Sequence, residues 1–238
     1  MIVYAIIGDM DNTVGRLQSL FPPHQFDVII GSLLGDARLE CRSAGIRYPV
    51  SARLRIHHGE KQKDYVFWKY AQLQNLVLRE PRKIKVSYDI KRNKEHFSWY
   101  FHTRTREDFG PLHHYFYRDG VKIFPEHIFD YLTPRALAIW FMDDGSNTRE
   151  SYTISTHCFP MQDQLRIAAF LKEKYGIIAT ITKDRDKLKI AIGKREYRKF
   201  SDVIEPWIIP SMMYKICNPR NDLFPFETGR MRHASPAA

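Results

Sequence analysis

A chain of 238 residues with 44% apolar side chains can bury one sizeable core, or two small ones that share an interface. Its 37 Lys and Arg against 27 Asp and Glu leave a formal charge of +10, so polyanions are the natural partner class, with RNA, DNA and anionic membrane surfaces all open. Cys41, Cys158 and Cys217 are widely spaced without a C-x-x-C pair, which argues against disulfides and structural zinc; residues 1–7 are apolar but too short to span a bilayer and lack a basic leader, so an intracellular, reducing location is expected.

The charge is uneven. Residues 1–37 carry one basic and four acidic side chains, residues 38–122 nineteen and nine, and residues 123–238 seventeen and fourteen, so the surplus sits in the middle block. The ten histidines are dispersed. His57-His58 and His113-His114 lack helical ligand spacing with acids and read as strand or surface residues.

In chain order, Phe21-Pro22-Pro23-His24 leads into an apolar run from Val28 to Leu34 that Asp36 closes. A strand follows over residues 49–57, where Val50, Ala52, Leu54 and Ile56 alternate with Ser51, Arg53, Arg55 and His57. One face packs and the other is basic. A helix is expected over residues 64–78. Two further strands come next, with Ile84, Val86, Tyr88 and Ile90 alternating with Lys83, Lys85, Ser87, Asp89 and Lys91, and Phe97, Trp99 and Phe101 alternating with His96, Ser98, Tyr100, His102 and Arg104. The order then repeats. Leu132-Thr133-Pro134 opens an apolar helix, with Thr133 as N-cap and Pro134 in the first turn, that ends in Asp143-Asp144-Gly145. After it come a strand within residues 151–158, a helix over 162–175 stopped by Gly176, and strands at 179–182 and 188–192. Pro206-Trp207-Ile208-Ile209-Pro210 precedes the last ordered segment. The chain divides as 1–125, 126–218 and a flexible tail at 219–238.

Each repeat thus places an aspartate at a helix C-terminus, where the macrodipole already puts partial negative charge. A cation or basic neighbour should compensate.

Gly31-Ser32-Leu33-Leu34-Gly35-Asp36 and Leu137-Ala138-Ile139-Trp140-Phe141-Met142-Asp143-Asp144-Gly145 both resemble LAGLIDADG motifs. The flanks Tyr131-Leu132-Thr133-Pro134 and Ile209-Pro210-Ser211-Met212-Met213-Tyr214-Lys215 are similar to segments of single-chain, intron-encoded members of the LAGLIDADG homing endonuclease family. The resemblance covers roughly residues 25–218. It implies an α/β (α+β) fold of two pseudo-symmetric αββαββ halves, each with a twisted antiparallel sheet, forming a DNA-binding saddle. It also implies two motif helices packed at the centre, with Asp36 and Asp144 as catalytic, metal-binding acids. Gly145 marks the motif's end and selects Asp144 over Asp143. By the same resemblance Lys122 and Lys215 are the basic residues beside the scissile phosphates. The motif's small third and seventh positions are Gly31 and Gly35 in the first helix but Ile139 and Asp143 in the second, so close backbone approach is expected from one side only.

Phosphodiester hydrolysis needs a divalent ion that polarises the phosphoryl oxygen and acidifies a water, and carboxylates suit Mg²⁺. The family implies two or three shared Mg²⁺ ions, with Mn²⁺ expected to substitute. Ser51, Arg53, Arg55, His57, Lys83, Lys85, Arg104, Lys187 and Lys189 are the expected DNA-binding residues of the sheets, suited to a major groove. The resulting expectation is a monomeric, metal-dependent double-strand DNA endonuclease with a long asymmetric site and no membrane or protein partner. Its rivals are an intron RNA maturase and a binding-only DNA-recognition protein.

Overall fold

Two apolar helices form the spine of the chain, and both start where proline and capping chemistry dictate. In the computed structural model, which describes residues 18–19, 21–41, 51–148 and 151–217, helix α1 runs Pro23–Leu34 with proline in its first turn. Thr133 Oγ1 accepts from the Ala136 N–H at 3.1 Å and caps a second apolar helix, Pro134–Asp144, named α4 below. The same hydroxyl donates to Asp27 Oδ1 at 2.7 Å, tying the start of one helix to the other. The expected tail at 219–238 and Val50 lie outside the described residues.

From α1 the chain passes through β1 (Arg38–Glu40), β2 (Arg53–Gly59), α2 (Lys63–Gln72), β3 (Arg82–Asp89), β4 (Lys94–His102) and α3 (Phe109–Phe116). A short ribbon, β5 (Tyr117–Arg118) and β6 (Val121–Lys122), leads towards α4 (Pro134–Asp144). The second half repeats the order with β7 (Gly145–Asn147), β8 (Tyr152–Ile154), α5 (Met161–Tyr175), β9 (Ala179–Asp184), β10 (Lys187–Ile192) and α6 (Tyr197–Ile204). Each half is therefore αββαββ with a closing helix. The strand orders are β1-β2-β4-β3 and β7-β8-β10-β9, antiparallel throughout. α2 packs on β2 and β4, and α5 packs on β9 and β10.

The helices end as the local sequence requires. α5 stops in a left-handed turn at Gly176 (φ +64°), where Ile177 N–H reaches Leu171 O at 3.1 Å and Gly176 N–H reaches Lys172 O at 2.9 Å. α2 ends at Gln72, earlier than the expected residue 78, because the chain tightens there into a 3₁₀ turn at Gln74–Leu76. His113 and His114 lie in α3 rather than in a strand.

Strand pairing decides which side chains share a face, because directly opposed residues point the same way. In the first sheet Leu39 opposes Leu54 and Ile56 opposes Phe101, and all four are buried towards the helices. The other face gathers Arg38 opposite Arg55, Glu40 opposite Arg53, His57 opposite Tyr100, and Arg82 opposite Tyr100. Lys83 opposes Trp99 and Lys85 opposes Phe97, so these two lysines lie on the helix side and not beside Arg53 and Arg55 as their alternation suggested. Val86 has no opposed residue: a bulge between Lys85 and Ser87 shifts the register. Val86, Tyr88 and Ile90, expected to pack on the core, are 57%, 47% and 83% exposed, because β3 is the edge strand, outside the pair β2 and β4 on which α2 packs.

Candidate active site

α1 ends at Leu34, so Asp36 stands just past the helix, whereas Asp144 is the last residue of α4. Both acids sit at a carbonyl-rich helix end, and the two expected lysines answer that charge. Lys122 Nζ donates to Gly35 O at 2.6 Å and to Ala37 O at 3.2 Å, the carbonyls either side of Asp36. Lys215 Nζ donates to Asp143 O at 2.9 Å and to Gly145 O at 2.8 Å, the carbonyls either side of Asp144. One relation is built twice.

The ways in which the lysines are delivered differ. Lys122 comes from the β5–β6 ribbon, whose turn holds Asp119 at φ 49° and Gly120 at φ 76°, the Asp-Gly chemistry of a two-residue hairpin. Lys215 ends a 3₁₀ segment, Pro210–Lys215. Burial draws both ammonium groups below their ordinary range, against the nearby carboxylates that favour the charged form.

The two acids have unlike environments. Burial pushes Asp36 up, but the contact with His58 and the positive charges of Lys69 and Lys215 outweigh it and leave the carboxyl below its usual range. Asp144 is pushed up to about 7 by burial and by the negative charges of Asp36 and Asp143, with Lys122 and the Trp140 Nε1–H, 3.2 Å from Asp144 Oδ2, opposing.

α1 and α4 meet at the glycines. A Cβ on Gly31 would stand 2.5 Å from Ala136 O, and one on Gly35 would stand 2.5 Å from the Asp143 Cβ. The α1 glycines alone allow close contact, with Ile139 and Asp143 filling the space they leave. Gly145 has φ −80°, so it is required by space and not by conformation: a Cβ there would strike the Phe141 ring and carbonyl.

Asp143 is committed elsewhere. Its wholly buried carboxylate accepts from Lys69 Nζ at 2.8 and 3.0 Å, from Tyr65 OH at 2.8 Å and from the Asp36 N–H at 3.2 Å. Sequence reasoning missed Tyr65, His58 and Lys69. The signals were present: His58 continues the buried alternation Ala52, Leu54, Ile56, and Lys69 stands one helical turn after Tyr65 on the buried side of α2.

On the open face, Glu40 Oε2 accepts from Arg53 at 2.8 Å, and Glu40 Oε1 accepts from Arg38 at 2.8 Å and from Arg55 at 3.2 Å. Glu40 is partly buried, yet this fan of guanidinium groups brings its carboxyl down to about 2. His57 Nε2 lies 2.6 Å from Ser98 Oγ, and burial together with Arg55 lowers its pKa. An open pocket of about 320 Å³ beside Asp36 is lined by Arg38, Arg55, His57, His58, Gly59 and Gln62. Lys187 and Lys189 share the face opposite Ile190 and Ile192, with Lys189 Nζ 2.9 Å from Asp184 Oδ2. Ser51 precedes β2 and is half-buried, and Arg104 is exposed just beyond β4. Lys83 pairs with Glu60 at 3.1 Å, and Lys85 with Glu95 at 2.5 Å.

Asp36, His58 and Asp143 offer possible ligand atoms within 4.8 Å of one another, but Lys69 already takes both oxygens of Asp143. The carboxylates left for a cation are Asp36 and Asp144. They fit one: both are hard oxygen donors, and Asp144 is raised first by burial and then by the negative charges of Asp36 and Asp143, which a divalent ion would offset. No helix among the described residues is long and apolar enough to cross a membrane.

The sequence matches the model of the LAGLIDADG DNA endonuclease family over residues 26–200. The chain is 32% identical to the DNA endonuclease I-ChuI of Chlamydomonas applanata over 208 residues, 81% of this chain and 94% of that protein. It is 29% identical to the cytochrome b mRNA maturase bI2 of Saccharomyces cerevisiae over 220 residues, 88% of this chain and 50% of that protein, so it spans half the length of that relative. Among solved structures, the homing endonuclease I-WcaI bound to its DNA recognition sequence superposes with a TM-score of 0.74 at 23% identity, covering 86% of this chain and 92% of that one.

Proposed function

The chain belongs to the LAGLIDADG DNA endonuclease family, and on that premise we propose that it is a divalent-metal-dependent endonuclease that cuts both strands of a long, asymmetric DNA site. The observation that carries this reading is the doubled arrangement of an acid at a helix end with a lysine clasping the carbonyls on either side of it, Asp36 with Lys122 and Asp144 with Lys215.

Asp36 and Asp144 would hold the ion, Mg²⁺ by the hardness of the donors, with Mn²⁺ able to substitute. When bound, it supplies Lewis-acid polarisation of the phosphoryl oxygen and a more acidic water. Lys122 and Lys215 keep positive charge beside each acid, where a phosphate would be drawn in and where negative charge builds in the transition state. The face carrying Arg38, Arg53, Arg55 and His57, and its counterpart carrying Lys187 and Lys189, would lie along duplex DNA, with phosphate contacts giving affinity and base-edge contacts giving sequence. The two halves, 1–125 and 126–218, would each cover one part of the site in a single monomer.

The test is a randomised plasmid library incubated with Mg²⁺ or with EDTA, followed by sequencing of the cut ends. Linear product with one recurrent sequence, dependent on the metal, is the expected result; cutting that persists in EDTA would overturn the metal role. The similarity to the yeast maturase supports a second reading, assistance to intron RNA splicing. Splicing promoted equally by the wild type and by Asp36→Asn, without DNA cutting by either, would favour it.

A further inference from the structure

Lys69 is a buried charge that the proposed chemistry leaves idle. Its side chain and that of Asp143 are both 0% exposed, and their ion pair lies directly behind the site. Stability alone is a poor reason for such a pair, since stripping water from two charges offsets most of their attraction and apolar replacements are often neutral.

The geometry leads from this pair to Asp36. An ammonium can only donate, and Lys69 Nζ lies 3.3 Å from His58 Nε2 while donating to both Asp143 oxygens. His58 Nε2 must therefore offer its lone pair, so the neutral ring carries its proton on Nδ1. That buried Nδ1 makes no hydrogen bond among the described residues and faces Asp36 Oδ2 at 3.4 Å, within ion-pair reach, so Asp36 is the acceptor it is placed to meet. Asp143 Oδ2 meanwhile accepts from the Asp36 N–H, so the pair reaches both the backbone and the carboxylate of the same residue. Tyr65 holds the pair in place, with its hydroxyl on Asp143 and its ring 4.4 Å from the ammonium.

We propose that Lys69 and Asp143 are positioning residues which, through His58 and the Asp36 N–H, fix the Asp36 carboxylate in the orientation that takes a divalent ion. The inference rests on the metal-dependent reading above. The device serves one half only: Gly35 stands in the first motif where Asp143 stands in the second, and the Asp144 carboxylate is held by Trp140 instead. Outer partners that orient a ligand in this way typically contribute about 10- to 100-fold to metal affinity.

Two measurements test it. The first is ¹⁵N NMR of the His58 ring in metal-free wild-type protein: an unprotonated Nε2 with a protonated Nδ1 is expected, and a proton on Nε2 overturns the proposal without any variant. The second is Mn²⁺ binding, read by EPR, to the protein on the duplex selected from the library. The variant is Lys69→Met with Asp143→Asn, which removes both charges at similar volume. The expected result is Mn²⁺ affinity lower by about 10- to 100-fold with duplex affinity unchanged. Wild-type Mn²⁺ affinity in the double variant would reduce the pair to a structural one. Failure of the wild type itself to bind Mn²⁺ would instead sink the metal-dependent reading and this inference with it. A double variant that does not fold leaves the decision with the wild-type NMR result.

Discussion

Gly35 lies so close to Asp143 that a β-carbon added to the glycine would stand 2.5 Å from the β-carbon of the acid and 2.6 Å from its Oδ2. The acid cannot swing aside, because Lys69, Tyr65 and the Asp36 N–H already hold its two oxygens. Gly35→Ala should therefore push α1 away from α4 at the level of the site. We expect a loss of about 1–3 kcal/mol in urea unfolding, typical of overpacking, together with a fall in cleavage steeper than the loss of folded protein explains. A fully active Gly35→Ala would mean that the helix contact is not what sets the distance between the acids.

The acids themselves can be tested for role against mere placement. Asp36→Asn and Asp144→Asn both keep the shape, so the fold should be retained. Asp144→Asn should be slightly stabilising, because it relieves a buried negative charge at a helix end. Asp36→Asn should be slightly destabilising, because it removes a carboxylate that its basic neighbours favour. DNA binding should persist while linearisation of a target plasmid collapses by orders of magnitude. Normal linearisation by either folded variant would remove that residue from the chemistry.

The pH dependence follows from Asp144, which titrates near 7 in the folded chain and near 4 in an unfolded one. Between those values the folded state keeps a proton that the unfolded chain has released. The stabilisation is thus complete below about pH 4 and is lost as pH rises to about 7. A divalent ion prefers the ionised form, so Mg²⁺ should raise the melting temperature more at pH 8 than at pH 5.5. Cleavage at limiting Mg²⁺ should climb through about pH 7 and flatten as Mg²⁺ is raised. A metal-free Asp144→Asn variant should lose this part of the stability–pH curve, and an unchanged curve would point to another group.

Lys122 and Lys215 should behave as a pair of equals. Replacing either with Met leaves two carbonyls at one helix end without their donor and removes a positive charge from beside one acid. Cleavage should fall by about 10²–10³, the usual effect of losing one donor to developing charge. If each lysine serves the strand nearest its acid, nicked plasmid should accumulate, with the intact strand opposite for the two variants. Rapid linearisation by both would reduce the lysines to helix caps.

What was legible in the sequence was local. Thr133-Pro134 announced the start of α4, Gly176 the end of α5, and the position of Asp36 and Asp144 at helix ends could be read from where the apolar runs stop. The need for a compensating cation was also visible, because a carboxylate at a carbonyl-rich end is electrostatically exposed. Long-range pairing was not. Period-two alternation says that Lys83 and Lys85 share a face, but only their opposition to Trp99 and Phe97 shows which face it is. Lys69 was hidden for a related reason: a lysine in a helix reads as solvated until the partner that neutralises it is known, and Asp143 is 74 residues away. The Asp119-Gly120 turn that delivers Lys122 was within reach, since Asp-Gly between two short β-prone pairs is a hairpin signal.

The last expectation concerns Glu40, which holds three arginines on the open face of the first sheet. One carboxylate among Arg38, Arg53 and Arg55 subtracts a charge from the surface that would meet DNA, yet it also fixes where three flexible cations point. If those arginines meet phosphates, Glu40→Gln should strengthen binding to any duplex and steepen the log–log salt dependence by up to about 0.9 for each further phosphate contact. If the fan is set for base edges, the same variant should lose discrimination, because guanidinium groups released from Glu40 can settle on wrong sequences as readily as on the right one. The two effects separate in one experiment, in which the affinities for the selected duplex and for a scrambled one are measured from about 50 to 200 mM salt. We expect the scrambled duplex to gain more than the selected one, so that the ratio between them shrinks. A ratio and a slope both equal to wild type would show that this cluster does not touch DNA. Acid titration gives an independent check on the fan, since Glu40 titrates near 2 in the folded chain and above 4 in an unfolded one. Its contribution to stability is present above about pH 4 and is lost as pH falls towards about 2. Glu40→Gln should therefore flatten the unfolding profile within that window and lower it by a constant amount above.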